Sequence, residues 1–233
     1  MEDQTQQDQS VPWTARDIWL ASGLFTLWLL AAVGFSILSY QRNWEVNIGL
    51  VVTFWELVLL VPAWWFSVRK YRVPWKTLGL RDFRGEALGI GCGLMIASYG
   101  FNLFYTLLLS VFNLQSQLDY AALFKELSSP WLLFLGGVVV APVVEEIVFR
   151  GFVFSGLRQR YTPKKAGVIS AGLFAVVHFQ PVNLIPILIL GLIFAYLYHR
   201  SGSIWPAVIM HVMTNLFGLG AAYLASQLDL PVG

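Results

Sequence analysis

The stretch Pro142-Val-Val-Glu-Glu-Ile-Val-Phe-Arg-Gly-Phe152 places two adjacent carboxylates, Glu145 and Glu146, and one guanidinium, Arg150, in an otherwise apolar part of the chain. Between positions 131 and 157 these three are the only charged side chains. A charged side chain near the centre of a bilayer costs at least about 2.5–3.5 kcal/mol. Three such residues therefore indicate a functional site inside a membrane-spanning segment.

The composition places the chain among integral membrane proteins. Hydrophobic residues make up 57% of the 233 residues, charged residues make up 12%, and the mean hydropathy is +0.65. Soluble domains usually carry about 25% charged residues. The single cysteine, Cys92, excludes an internal disulfide, and its small neighbours indicate helix packing. The net charge of +2 says little about partners, and we expect no nucleic-acid partner.

Seven apolar spans predict an all-α polytopic membrane protein, a bundle of about seven transmembrane helices with an intramembrane polar cavity. Most spans reach the roughly 20 residues that a helix needs to cross about 30 Å of hydrocarbon. The fifth and sixth are short, and Pro181 and Asn183 between them predict a helical hairpin whose turn lies within the membrane. The seven spans are 18–40, 48–68, 87–112, 131–157, 166–182, 184–199 and 203–225.

The remaining segments define the expected organisation of the chain. Residues 1–16 are polar and lack the basic start and apolar core of a signal peptide, so we expect a short disordered cytoplasmic tail. We expect 17–129 to hold the N-terminal transmembrane helices and 130–226 to hold the site. Within the loop 113–130, residues 120–127 are typical of a short amphipathic helix on the outer surface.

Lysine and arginine residues in the loops predict the orientation. Arg42 and Lys125 alone fall on the side that we expect to face outward. The N-terminus should therefore be cytoplasmic, the C-terminus should be outside, and the site should open to the cytoplasm. The twelve basic residues that alternating spans place on the cytoplasmic side are Arg16, Arg69, Lys70, Arg72, Lys76, Arg81, Arg84, Arg158, Arg160, Lys164, Lys165 and Arg200.

Helical spacing groups the polar residues of the later spans, because residues four positions apart share one helix face. Arg150 can thus hold Glu146 ionised, whereas Glu145 points about 100° away and can address a different neighbour. A rise of about 1.5 Å per residue places Glu145 and both motif histidines well inside the bilayer at similar depths. The three pairs with this spacing are Glu146–Arg150, Phe174–His178 and His211–Asn215.

These residue types predict hydrolysis of an amide bond by an activated water. Glu145 is desolvated beside a like charge, which is the environment expected of a general base that works near neutral pH. We expect Glu145 and His178 to hold and deprotonate the water. His211 and Asn215 can donate hydrogen bonds to the oxyanion that forms when water adds to a carbonyl. This chemistry requires no serine or cysteine nucleophile.

The motifs Glu-Glu-x-x-x-Arg, Phe-x-x-x-His and His-x-x-x-Asn, in this order on successive helices, resemble the CPBP family of intramembrane proteases. That family includes the type II CAAX prenyl endopeptidase and bacteriocin-processing or immunity proteins. The resemblance covers residues 130–220 and implies that 130–226 is a CPBP-type catalytic core. It implies a metal-independent glutamate protease without a cofactor, located in a bacterial or archaeal plasma membrane.

The resemblance also implies roles for individual residues and a membrane-associated protein or peptide as the substrate. We expect Phe174 to contact that substrate, and the lipid bilayer to surround the bundle. The implied roles are water activation by Glu145 and His178, support by Glu146 and Arg150, and an oxyanion hole of His211 and Asn215.

Three other interpretations remain open. The polar residues could serve only to hold helices together, although such networks usually use Ser, Thr, Asn or Gln. A glutamate and two histidines are also familiar zinc ligands, although the chain has no His-Glu-x-x-His pattern. A non-catalytic membrane adaptor or immunity protein could keep the residues without hydrolysis. Glu56, alone in the second span, is expected to be a structural partner of a polar group on a neighbouring helix.

Overall fold

The computed structural model describes residues 10–114, 120–127 and 129–228. These ranges are helical and contain no strand, and six of the helices are long and apolar enough to cross a membrane, so the predicted all-α polytopic membrane fold is confirmed. The helices are α1 (Ala15–Gln41), α2 (Ile48–Arg69), α3 (Glu86–Val111), α4 (Tyr120–Glu126), α5 (Pro130–Leu157), α6 (Pro163–Val176), α7 (Leu184–Ser201) and α8 (Trp205–Gln227). The six long ones are all of these except α4 and α6.

The predicted fifth span, 166–182, corresponds to a helix that is shorter than the six long ones. Helix α6 has 14 residues and ends at Val176, and a turn with Phe179 at a φ of 52° leads into α7. The predicted hairpin is therefore present. Its two helices approach closely because Gly191 faces Ala171, where a Cβ on the glycine would lie 3.0 Å from the alanine Cβ.

Helix α5 is the most deeply buried of the six long helices. Over Leu135–Val140 and Glu146–Phe154 its backbone follows the wider pattern of hydrogen bonds from residue i to i+5, which recurs at functional sites. In that pattern the carbonyl of Gly137 would accept from residue 142, but Pro142 has no N–H. The amide of Asn215 on α8 donates to this carbonyl instead, at 2.7 Å.

Helices α2 and α5 pack side by side and run in the same direction. Gly49 lies against Leu133, where a Cβ on the glycine would come within 2.6 Å of the leucine nitrogen. One turn further along both helices, Thr53 lies against Gly136. Because residue numbers increase along both helices from the first contact to the second, the helices are parallel, and the face of α2 that carries Gly49 and Thr53 is turned to α5.

The residues just before α1 pack on the bundle, although the sequence predicted a disordered tail over 1–16. Residues 1–9 of that tail lie outside the described residues, whereas Trp13 is fully buried. Its indole Nε1 donates a hydrogen bond of 2.9 Å to the carbonyl of Phe152 on α5. Gly156 leaves room for the ring, because a Cβ there would lie 2.7 Å from it. One aromatic side chain thus anchors the residues before α1 to α5.

A buried carboxylate joins the start of α1 to the end of α2. Asp17 is 1% exposed, accepts a hydrogen bond of 2.7 Å from the hydroxyl of Tyr71, and forms an ion pair with Lys70. It also accepts from the backbone N–H of Thr14 at 2.9 Å, which caps the first turn of α1. The hydrogen bond to Asp17 raises the pKa of Lys70 above its ordinary value of 10.5.

Helix α4 corresponds to the predicted amphipathic helix at 120–127. Phe124 is buried, and its ring stacks on that of Phe134 at 5.4 Å and meets the edge of Tyr223 at 5.5 Å between ring centroids. The apolar face of α4 therefore packs on α5 and α8.

Candidate active site

The centre of the site is a fully buried ion pair on α5. Arg150 Nη1 donates to Glu146 Oε1 at 2.9 Å, and neither side chain has any exposed surface. The pair forms because the two residues lie four positions apart, as the sequence predicts. Arg150 Nη2 donates to the carbonyl of Gly191 at 2.9 Å, which ties α5 to α7.

Two aromatic rings cover the guanidinium of Arg150. Its central carbon lies 4.5 Å from the ring centroid of Phe174 and 5.3 Å from that of Phe194. Desolvated cation–π contacts of this kind stabilise by about 2 kcal/mol. Phe174 is only 2% exposed, so it lies beneath the site as packing for the arginine. The expected contact of Phe174 with the substrate stays a prediction.

His211 of α8 lies between the two glutamates. Its Nδ1 is 3.0 Å from Glu146 Oε1, and its Nε2 is 3.5 Å from Glu145 Oε2. The imidazole stacks on Phe194 with 4.8 Å between ring centroids. The hydrogen bond from Arg150 shows that the Glu146 carboxylate is an acceptor, so it accepts a second hydrogen bond from the Nδ1–H of His211. This second bond fixes the orientation of the imidazole ring.

The two adjacent glutamates have different surroundings, as their helical phase predicts. Oε1 of Glu146 accepts from two donors, and its side chain is completely buried. The Glu145 side chain is 12% exposed, and its Oε2 has no hydrogen-bond partner among the residues that the structure describes. Of the two carboxylates, Glu145 therefore accepts fewer hydrogen bonds from the described residues.

His178 and Asn215 lie near this network but bond to backbone groups. His178 Nδ1 is 2.6 Å from the carbonyl of Phe174, so Nδ1 carries a proton and Nε2 is left for another group. In the described part of the chain, no hydrogen bond or ion pair joins His178 to Glu145. Asn215 donates one amide hydrogen to Gly137, and its second amide hydrogen remains available.

Phe174 connects the two histidines. Its ring centroid lies 4.6 Å from that of His178 and 5.7 Å from that of His211. The six predicted residues thus fall into two groups. Four form one network of close polar contacts (Glu145, Glu146, Arg150 and His211), and two lie beside it with backbone partners (His178 and Asn215).

One residue takes part that the sequence did not single out. Phe194 stacks on His211 and covers Arg150, but a phenylalanine in an apolar span carries no signal of that role. Glu56 of α2 was expected to pair with a polar group elsewhere. Its Oε2 is buried without a hydrogen-bond partner among the described residues.

A cavity of about 300 Å³ lies beside the network, between α1, α2, α5 and α6. Its walls include Phe25, Leu59, Phe149 and Phe179, and the residues that line it are almost all apolar. The polar groups of the network thus pack next to this cavity and do not line it. In the described ranges, His, Cys, Asp and Glu side chains form no cluster of three with the arrangement of a metal site.

Comparison with known proteins confirms the resemblance that the motifs indicated. Residues 127–217 match the sequence model of the family described as Rce1-like, type II CAAX prenyl endopeptidase Rce1-like. The "Putative membrane peptidase YdiL" of Bacillus subtilis (strain 168) is 35% identical over 86 residues, which are 37% of this chain and 35% of that protein. The UPF0177 protein YxdF of Lactococcus lactis subsp. lactis (strain IL1403) is 35% identical over 81 residues, 34% of this chain and 44% of that protein.

The matched segments thus span less than half the length of each of these relatives. No solved structure matches the chain. The similarity falls on the segment from α5 to α8 with its connecting turns, which contains all of the predicted site residues.

Proposed function

We propose that this protein is an intramembrane endopeptidase that hydrolyses a peptide bond of a membrane-associated protein or peptide with a glutamate-activated water and without a metal. The observation that carries the proposal is the buried network of Glu145, His211, Glu146 and Arg150, in a segment that resembles a family of membrane endopeptidases. Ionised groups are a costly means of joining helices in a membrane, so their concentration at one depth favours catalysis over a purely structural role.

Glu145 is the proposed general base. Glu146 Oε1 is held by Arg150 and His211, whereas Glu145 Oε2 has no hydrogen-bond partner among the described residues. Glu145 takes a proton from the water as the water oxygen bonds to the carbonyl carbon of the substrate. His178 assists through Nε2, since its Nδ1–H is committed to a backbone carbonyl.

The oxyanion is stabilised from α8. His211 Nε2 is 3.5 Å from Glu145 Oε2, which is longer than a hydrogen bond but close enough to reach a substrate carbonyl held at Glu145. When the imidazole carries both protons, Nδ1 donates to Glu146 and Nε2 donates to the oxyanion. Asn215 contributes its second amide hydrogen. The intermediate collapses when Glu145 returns its proton to the amine nitrogen and the C–N bond breaks.

The surroundings of the site favour a substrate that is itself embedded in the membrane. The apolar cavity between α1, α2, α5 and α6 can hold a hydrocarbon chain or an apolar side chain next to the network. The basic residues flanking α5 and α6 predict that the peptide enters from the cytoplasmic side. A CAAX-type substrate, which carries a prenyl chain, fits both features.

The test is cleavage of a membrane-anchored peptide by purified protein in detergent. We expect Glu145→Gln and His178→Ala to abolish cleavage without unfolding the protein. Glu45→Gln, which changes an exposed glutamate in the α1–α2 loop, is the matched control and should retain full activity. Cleavage by Glu145→Gln at the wild-type rate would refute the assignment of the base.

Two further measurements separate the other interpretations. Loss of cleavage on chelation, restored by zinc, would support the metal-dependent alternative. Complementation of a deletion strain by Glu145→Ala would support a non-catalytic adaptor. Comparison of membrane proteins between wild-type and Glu145→Ala cells should reveal the substrate as a species that accumulates uncut.

A further inference from the structure

We infer that Glu56 of α2 belongs to the active site as a neutral carboxylic acid, which donates a hydrogen bond to the Glu145 carboxylate directly or through one water. In this role Glu56 is a positioning residue that acts through Glu145. The inference rests on the proposed function and extends it to the N-terminal helices, outside the segment that resembles the protease family.

The position of Glu56 follows from the packing of α2 on α5. Glu56 comes seven residues after Gly49 and three after Thr53, so it shares the helix face that both turn to α5. Thr53 lies against Gly136, and the helices run parallel, so Glu56 lies beside residues 139–140 of α5. Glu145 is about one and a half turns further on, roughly 8 Å along the axis at 1.5 Å per residue. Two glutamate side chains, with or without a water, can bridge that separation.

Charge balance around the site favours the neutral form of Glu56. Arg150 is the arginine of the network, and it already pairs with Glu146. The charged or titratable groups around Glu145 are Glu146, Arg150 and His211, and no ion pair to Glu56 occurs among the described residues. An ionised Glu56 would be a third carboxylate at membrane depth without a cation of its own. Uncompensated charges are strongly disfavoured in such surroundings.

The hydrogen-bonding needs of the two side chains are complementary. Glu145 Oε2 and Glu56 Oε2 are both buried, and neither has a hydrogen-bond partner among the described residues. A carboxylic acid has one O–H to donate, and a carboxylate accepts only. The donated hydrogen bond would fix the Glu145 rotamer and direct its other oxygen to the water, while Glu56 keeps its proton throughout the reaction.

Three variants distinguish this role from a structural one. Glu56→Gln keeps a neutral donor of the same shape, so its kcat should stay within about threefold of wild type. Glu56→Ala removes the donor and should lower kcat by about 10–100-fold, the effect of one hydrogen bond to a charged group, with KM unchanged. Thr53→Ala is the matched control, because it alters the same α2–α5 face without touching a carboxyl group, and it should cleave normally.

Two kinetic results would overturn the inference. One is equal loss of kcat in Glu56→Gln and Glu56→Ala, which would mean that Glu56 works ionised. The other is a wild-type kcat in Glu56→Ala. A thermal unfolding curve for each variant excludes loss of folded protein as the cause.

Infrared difference spectroscopy tests the inference without any cleavage. Wild-type protein in lipid at neutral pH should show the carbonyl stretch of a protonated carboxylic acid. Glu56→Gln should remove this band, and Glu145→Gln should shift it. A wild-type protein with the band but without cleavage would mean that the proposed function fails while Glu56 is assigned correctly. A band that persists unchanged in Glu56→Gln, or is absent from wild type, would refute the inference itself.

Discussion

The substitution Arg150→Met tests whether the buried ion pair holds the bundle together. Arg150 donates hydrogen bonds to Glu146 and to the carbonyl of Gly191, and it stacks on Phe174 and Phe194. Each charge-assisted hydrogen bond contributes about 1.5–3 kcal/mol, so the two together give about 3–6 kcal/mol. Removing one partner of a buried pair costs about 3–5 kcal/mol, because the other charge is left uncompensated. We therefore expect Arg150→Met to lower the free energy of unfolding by about 3–5 kcal/mol.

Most of this loss should come from the Glu146 carboxylate, which is left buried without its cation, and not from the contacts of Arg150 itself. The double variant Glu146→Gln/Arg150→Met removes both charges, and it should recover at least about 2 kcal/mol relative to Arg150→Met alone. Both variants should be inactive. The control is Arg84→Met, which breaks the exposed ion pair with Glu86 and should cost less than about 1 kcal/mol.

The assay is reversible unfolding in mixed detergent micelles, followed by circular dichroism and tryptophan fluorescence. A loss below about 1 kcal/mol for Arg150→Met would refute the estimate, since that is the range of exposed ion pairs. A double variant no more stable than Arg150→Met would refute the electrostatic explanation and attribute the loss to packing against the aromatic rings.

Three further predictions concern other parts of the molecule. Trp13→Ala should lower the free energy of unfolding by about 3–5 kcal/mol, measured in the same micelles, because the indole is fully buried; an unchanged value would contradict its docking on α5. Asn215→Ala should lower kcat for peptide cleavage by about 10²–10³-fold, the usual effect of losing one oxyanion donor, and a change in KM alone would argue against that role. The ion pair with Asp17 raises the pKa of Lys70, so its stabilisation is complete below pH 10.5 and is lost as the pH rises through the higher pKa of the folded protein. The melting temperatures of wild type and Lys70→Met should therefore converge above pH 10.5, and a constant difference would contradict the linkage.

Local rules were sufficient for much of the fold and for the centre of the site. Apolar length located the spans, and the spacing of Glu146 and Arg150 predicted their ion pair because four residues make about one helical turn. The hairpin between α6 and α7 followed from Pro181 and from the shortness of the flanking spans. These features depend on residues close together in the sequence, which is why the sequence alone could specify them.

Contacts between distant residues were not predictable in the same way. The docking of Trp13 on Phe152 joins positions 139 apart. The polar composition of residues 1–16 had instead indicated a disordered tail. The packing of Phe174 on Arg150 was not predictable either, because the motif gives the helix face of Phe174 and not its neighbours on other helices. The wide turns of α5 carry no pattern that distinguishes them from ordinary helix, although Pro142 explains one of them once the structure is known.

The bonds of Arg150 and Glu146 also constrain the order in which the bundle can be completed during synthesis. The backbone acceptor of Arg150 lies on α7, and the histidine donor of Glu146 lies on α8, and both helices leave the ribosome after α5. Until they arrive, α5 must enter the bilayer with only the bond between its own two charges. A chain truncated after residue 183 should therefore be degraded faster by membrane quality-control proteases than the full chain, and equal half-lives would contradict this dependence. The charged pair of α5 thus gains its partners on α7 and α8 only when the C-terminal helices have been made.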